Sequence, residues 1–210
     1  MSSKIVYLVR HGETVSNLTH IVQGLDDKLS DTGQRQAAAL AKRAMGLEFE
    51  LFLSSDAKRT IQTASAIKEA TGREFTPMSL FREIRRPKSF IGISRQTPEF
   101  QQFLKDELTN MANPDWQIED GEHFESGKAR ALEALSYLER QAAESVLVVS
   151  HGHFMRYMVA TILTEKNLTP ELWLTLGHTL LASNTGITVC RFENNLWQVI
   201  TWNDHAHFAE

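Results

Sequence analysis

Apolar positions along this 210-residue chain change their period several times, and each change predicts an element. Two short runs stand out because they hardly alternate. Ile5-Val6-Tyr7-Leu8-Val9 and Val146-Leu147-Val148-Val149 are almost wholly apolar and rich in β-branched residues, which predicts strands buried on both faces of a parallel sheet. Each run stops at a polar residue followed by His-Gly: Arg10-His11-Gly12 and Ser150-His151-Gly152. If the strands are neighbours, both histidines arrive at the carboxyl edge of the sheet, where α/β folds bind ligands. The glycines are expected to turn the chain sharply there and to admit a ligand close to the backbone.

Between the two runs, strand and helix periods alternate. Ser30 and Asp31 open a helix with Ala37, Leu40, Ala41, Ala44 and Met45 on its apolar face and Gly46 at its end. Residues 50–53 predict a second buried strand. A helix then opens at Ala57 with Asp56 as its cap, turns Ile61, Ala64 and Ile67 inward, and closes at Gly72. Residues 73–121 are less regular. They predict a short strand over 75–78, a basic run over 82–88 that Pro87 keeps from being helical, a helix over 99–111 and a turn at Asn113-Pro114-Asp115. This segment reads as an insertion packed over the sheet edge of a single domain spanning 1–210, and as the seat of substrate selectivity. Helices are predicted over 124–143, 154–163 and 170–176. The end of the chain alternates as a hairpin, 187–192 with 196–202, turning at Asn194-Asn195. The β-α-β-α order predicts an α/β fold with right-handed crossovers.

Composition narrows the function. At 42% hydrophobic and 23% charged the chain is an ordinary globular domain, and a net charge of −4 argues against a nucleic-acid partner. Cys190 is the one cysteine, so no internal disulfide can form and a reducing compartment is expected. No apolar window is long enough for a bilayer and no apolar signal segment precedes the first strand. The expectation is a cytoplasmic protein without a membrane partner; oligomeric state is not legible.

The chemistry gathers around His11. An imidazole with an unperturbed pKa of about 6.5 can serve as a nucleophile, and the adjacent Arg10 matches phosphate oxygens bidentately. A lone His-Gly is ordinarily a core or capping feature. Arg10-His11-Gly12-Glu13 with Asn17 at the end of a buried strand points instead to an anion site. Arg59 falls in the first turn of the helix after the second strand, at the same edge, where helix amides and dipole would add to anion binding. His151-x-His153 and His205-x-His207 have the spacing of metal pairs. No cysteine cluster joins them and a cation beside Arg10 is unfavourable, so no metal is expected. His153 is placed in a helix's first turn, His205 and His207 in a tail, Cys190 in a structural role, and Trp116, Trp173, Trp197 and Trp202 in core or lid. Glu122 reads as a helix-capping residue, with a site contact as the alternative. The cations Arg82, Arg85, Arg86 and Lys88 fit a contact with acidic substrate or a solvated face equally well.

These pieces resemble the histidine phosphatase superfamily, the phosphoglycerate mutase-like branch 1. The similarity rests on Leu8-Val9-Arg10-His11-Gly12-Glu13-Thr14 with Asn17, Gln23-Gly24 through Leu29-Ser30 and Gly33, Ser54 through Ala64, Glu83, Gly121-Glu122, and Ser150-His151-Gly152, in the family's order. The resemblance implies a three-layer α/β/α sandwich around a mostly parallel sheet. It implies that His11 becomes phosphorylated, that Arg10, Asn17, Arg59 and His151 hold the phosphoryl group, that Gln23 and Gly24 line its pocket, and that Glu83 protonates the leaving oxygen, with no cofactor. The cofactor-dependent mutases of the family carry a tyrosine- and glycine-rich stretch after the acid glutamate. Glu83-Ile84-Arg85-Arg86-Pro87-Lys88 departs from it, which favours hydrolysis of a phosphomonoester over mutase-type phosphotransfer or a non-catalytic phosphate-binding scaffold. Sugar phosphate, nucleotide, cofactor precursor and phosphoprotein all fit as substrate.

Overall fold

The computed structural model describes residues 3–208. Strand β1 (Lys4–Arg10) is followed by a one-turn helix α1 (Val15–Leu18) and by α2 (Asp31–Ala44). Then come β2 (Leu51–Ser54), α3 (Lys58–Thr71), β3 (Thr76–Pro77), α4 (Pro98–Thr109), α5 (Phe124–Glu139), β4 (Ser145–Ser150), α6 (Gly152–Leu163) and α7 (Pro170–Thr179). The hairpin β5 (Ile187–Glu193) and β6 (Leu196–Asp204) ends the fold, turning at Asn194 and Asn195, both with positive φ as a primed turn requires. The sheet order is β3-β2-β4-β1-β5-β6. The first four strands are parallel and the hairpin is antiparallel. β4, the fourth strand in the chain, lies between β2 and β1 in the register Phe52–Leu147 and Tyr7–Leu147.

Alternation along the buried strands explains the layers. Val6, Leu8, Val146 and Val148 face one way and pack with Leu135, Leu138, Met155 and Met158 of α5 and α6. Val9, Leu147 and Val149 face the other way, against Leu40 and Ala41 of α2 and Ala64 and Ile67 of α3. This is the α/β fold that the pattern predicts, in the three-layer α/β/α form with a mostly parallel sheet that the resemblance implies. Cys190 is fully buried in the first of these cores.

Some boundaries differ from the sequence reading. The helix expected over 124–143 stops at Glu139, because the next residues link to β4 and the Gln141 carbonyl accepts a hydrogen bond from Lys4 Nζ. The helix after the second histidine starts at Gly152, two residues early, and α7 runs on to Thr179. Residues 73–121 are only partly an insertion: Thr76 and Pro77 extend the sheet, and Phe81 and Ile84 belong to the main core. The remainder builds a satellite core of Phe100 and Phe103 with Phe90 and Trp116, completed by Val22 from the loop after α1. Asp56 does not cap α3. The N-cap is Ala57 without a side-chain bond, and both Asp56 oxygens accept from Arg82, each at 2.6 Å. A bidentate guanidinium outcompetes one backbone amide for a carboxylate.

Candidate active site

The carboxyl ends of β1, β2 and β4 meet at one edge, and the residues following them build the site. His11 is clamped by its backbone: its amide donates to the Ser150 carbonyl at 3.0 Å and its carbonyl accepts from Asn184 Nδ2 at 2.9 Å. The ring is 1% exposed. Its Nδ1 lies 2.7 Å from the Gly12 carbonyl. A carbonyl only accepts, so Nδ1 carries the proton and Nε2 keeps its lone pair. Burial first, then Arg59 and Arg10, push this imidazole well below its usual range and keep it neutral. His11 is thus a buried neutral base with one fixed tautomer.

Arg59 and His151 stand beside the His11 ring and Arg10 lines the same cleft, three of the residues expected from sequence to form an anion cradle. Arg59, 2% exposed, donates from Nε to His11 Nε2 at 3.3 Å and from Nη1 to the Gly24 carbonyl at 2.7 Å. His151 is fully buried, its ring centroid 5.1 Å from that of His11. Its Nε2 is held by Ser55 Oγ at 2.9 Å, and burial, then Arg59, keep it neutral too. Arg10 donates from Nη1 to the Ala182 carbonyl at 2.5 Å. His151 Nδ1 and Arg10 Nε are buried without a partner among the described residues. Unsatisfied buried nitrogens are costly in a core and ordinary in a site that binds an anion.

The glycines work differently from the sequence expectation. Neither Gly12 nor Gly152 has a positive φ. A Cβ on Gly12 would lie 2.6 Å from the Gly33 carbonyl oxygen, and one on Gly152 would lie 3.1 Å from Arg10 Nε. They allow close packing of backbone and guanidinium, not a turn. The N-terminus of α3 also departs from expectation, since its first amide, that of Lys58, donates to the Leu25 carbonyl at 2.8 Å.

Glu83 lines the same cleft as His11. Its carboxylate sits on the N-terminus of α6, accepting from the amides of His153 at 3.1 Å and Phe154 at 2.8 Å. That helix end therefore orients Glu83. His153 is in the first turn of α6, as expected. Asn17 also lines the cleft; its Oδ1 accepts from the Thr14 amide at 3.1 Å, which leaves its NH2 group to offer. Gln23 Nε2 donates to Thr14 Oγ1. Gly24 has its amide on Asp27 Oδ2 at 2.8 Å and its carbonyl on Arg59, so it acts on the cradle through Arg59.

All four cations of the basic run line the cleft, with Arg85 and Lys88 exposed, and three of them are paired with carboxylates. Arg82 pairs with Asp56, Arg86 with Glu107 at 2.7 Å, and Arg85 with Asp120 at 3.8 Å. Glu122 does not cap α5, whose N-cap is His123; it grips Arg130 bidentately at 2.7 and 2.8 Å. Sequence reasoning missed Thr63, whose hydroxyl receives the Gly12 amide at 3.1 Å, along with Ser55, Asn184, Arg95 and Arg156. Ser55 and Thr63 stand in the Ser54–Ala64 stretch already singled out, whereas Asn184 and Arg95 lie in loops with no periodic signal.

The cleft above His11 holds about 1800 Å³ and is open to solvent. Among the described residues, no group of three or more His, Cys, Asp or Glu side chains is placed to hold a metal ion, and no helix is long and apolar enough to cross a membrane.

Fold and cradle together define an α/β enzyme whose centre is a histidine. The chain belongs to the histidine phosphatase superfamily (branch 1), whose family model matches residues 6–205. It is 36% identical over 160 residues to a probable phosphoglycerate mutase GpmB of Salmonella arizonae, covering 75% of this chain and 74% of that protein. The homologous protein of Yersinia enterocolitica is 34% identical over 166 residues, with the same coverage of 75% and 74%. Among solved structures, a mutant phosphoserine phosphatase from Entamoeba histolytica, in complex with phosphoserine, superposes with a TM-score of 0.79 at 24% identity, covering 97% of this chain and 98% of that one. A mycobacterial glucosyl-3-phosphoglycerate phosphatase gives 0.76 at 23% identity, covering 96% and 99%. Both share the fold.

Proposed function

We propose that this enzyme hydrolyses a phosphomonoester through a phosphohistidine on His11. The observation that carries the reading is the single lone pair of His11 Nε2, fixed by the Gly12 carbonyl and facing Arg59 on the floor of the cleft. Nε2 attacks phosphorus as the ester P–O bond breaks, and the leaving alkoxide takes a proton from the Glu83 carboxyl. Charge that spreads over the equatorial oxygens is met by Arg10, Arg59, His151 and the Asn17 amide, since the protein's task in phosphoryl transfer is to position and neutralise. Water then attacks phosphorus, its proton goes to Glu83, and the P–N electron pair returns to His11. The open cleft favours water as acceptor over a retained product, which a mutase requires; the mutases among the relatives make phosphotransfer the second reading. A small phosphorylated molecule is the proposed substrate, and the cytoplasm, where such esters are found, the proposed compartment.

The test is release of inorganic phosphate from a panel of phosphoesters that includes 3-phosphoglycerate. Hydrolysis predicts release that persists in chelator, disappears in His11→Ala, and leaves acid-labile label on the wild-type chain after a quenched single turnover. Isomerisation of 3-phosphoglycerate without release would establish the mutase instead.

A further inference from the structure

The loop between α7 and β5 holds Arg10 and His11 from behind. The Ala182 carbonyl accepts from Arg10 Nη1 at 2.5 Å, and Asn184 Nδ2 donates to the His11 carbonyl at 2.9 Å. The Thr185 amide donates to the Arg10 carbonyl at 3.0 Å, and the Gly186 carbonyl accepts from the Arg10 amide at 3.2 Å. This loop therefore sets where the nucleophile and its neighbouring guanidinium sit. At its centre Thr185 is fully buried and has a φ of 58°. A β-branched residue takes that left-handed conformation only where its surroundings impose it.

The groups that impose it come from the end of β6 and the turn after it. Asn203, itself at a φ of 55°, grips Ser183: its Oδ1 accepts from the Ser183 amide at 2.8 Å and its Nδ2 donates to Ser183 Oγ at 3.2 Å. Gly186 makes room for this grip, since a Cβ there would lie 2.1 Å from Asn203 Oδ1. His207 reaches Thr185 itself, with Nε2 at 3.1 Å from Oγ1. The Thr185 hydroxyl donates its proton to the Asn184 carbonyl at 2.7 Å, so His207 is the donor of the pair and carries its proton on Nε2. Burial holds this imidazole below its usual range and keeps it neutral at pH 7.

We propose that Asn203 and His207 are positioning residues for phosphoryl transfer: they hold Thr185 in its strained conformation and, through the 182–186 loop, aim Arg10 and His11 at phosphorus. The inference rests on the phosphatase reading. Neither side chain lines the cleft, so an effect on chemistry travels through the loop. In-line attack is sensitive to shifts on the order of 1 Å, so a loosened loop costs rate before it costs the fold.

p-Nitrophenyl phosphate isolates the attack of His11, because its leaving group needs no acid. Asn203→Ala and His207→Ala are each expected to lower kcat on it about tenfold or more, in protein shown to be folded by circular dichroism. His207→Gln, whose amide N–H replaces the Nε2 donor, recovers most of the loss. Arg43→Gln removes the 3.3 Å pair with Asp204 in the same segment without touching Thr185, and keeps the wild-type kcat. Normal kcat in both folded alanine variants, or a loss as large in His207→Gln as in His207→Ala, or an equal loss in Arg43→Gln, overturns the proposal. If the alanine variants do not fold, Thr185→Gly decides. Glycine takes this φ without strain and offers no hydroxyl to His207. This variant should fold and still lose about tenfold in kcat, and an unchanged kcat overturns the proposal. If the wild type releases phosphate from no ester, the phosphatase reading fails on its own. Vanadate, which copies the five-coordinate geometry of phosphoryl transfer, is then the probe. A Kd about tenfold weaker in Asn203→Ala and His207→Ala, but not in Arg43→Gln, sustains the positioning role, and equal values overturn it.

Discussion

At the scale of single residues, the site depends on protonation states set by burial. His11 and His151 are neutral in the folded protein well below pH 6.5, the ordinary value for a free imidazole. Their folded pKa lies below the unfolded one, so between the two values the unfolded chain binds more protons. Stability is then complete above about pH 6.5 and is lost as pH falls, by up to about 1.4 kcal/mol per pH unit for each histidine. Urea midpoints at pH 7.5, 6.5 and 5.5 read this directly, and the slope should be shallower in His151→Asn. Equal midpoints at pH 5.5 and 7.5 would contradict it. Glu83 offers a second prediction. Gln at this position keeps one acceptor oxygen for the amides of His153 and Phe154, which donate to different oxygens of Glu83, and holds no acidic proton to give. Glu83→Gln should slow hydrolysis of alkyl phosphates by roughly 10²-fold or more. It should act far more weakly on p-nitrophenyl phosphate, whose leaving group needs no acid. Equal losses on both substrates would make Glu83 a positioning residue only.

At the scale of elements, the loop after β1 is locked to α2 by backbone contact. A Cβ on Gly33 would lie 1.9 Å from the Glu13 carbonyl oxygen, and backbone cannot rotate away as a side chain can. Gly33→Ala is expected to cost roughly 3 kcal/mol, measured by chemical denaturation, and to lower kcat by shifting His11. Unchanged stability would show that the loop gives way easily. The element scale is also where the sequence was most readable. Val6 to Val9 and Val146 to Val149 announce buried strands, and the Ser30 cap and Gly72 end hold, because their causes are local. Asp56 misled for a non-local reason: its partner Arg82 lies 26 residues away and no pattern marks the pair. The pairing of Arg86 with Glu107, 21 residues apart, was hidden in the same way. His11, Arg10, Arg59 and His151 could be named because each follows a strand or opens a helix. Arg95 and Arg156 could not, since an arginine in a loop or inside a helix is no motif until folding brings it to the cleft.

At the scale of the molecule, the cradle joins parts of the chain that share little sequence neighbourhood: β1, the start of α3, the end of β4 and the 182–186 loop. An anion bound among them should tie these parts together. Orthophosphate at about a hundred times its Kd is expected to stabilise the protein by about 2.7 kcal/mol. Arg59→Ala should show little of that gain at the same concentration. Thermal unfolding with and without phosphate measures both, and an equal shift in the variant would place the anion elsewhere.

The position of β4 has one more consequence. It is made late, yet it occupies the middle of the sheet, with β1 and β2 waiting on either side. Without that centrepiece β1 and β2 have no hydrogen-bonded neighbour in common, and His11 and Arg59 are joined only by side-chain contacts such as Arg59 Nε to His11 Nε2 and the Gly12 amide to Thr63. The site is therefore a product of long-range closure: two strands met early in the chain are knit into one floor only by a third that the chain reaches much later.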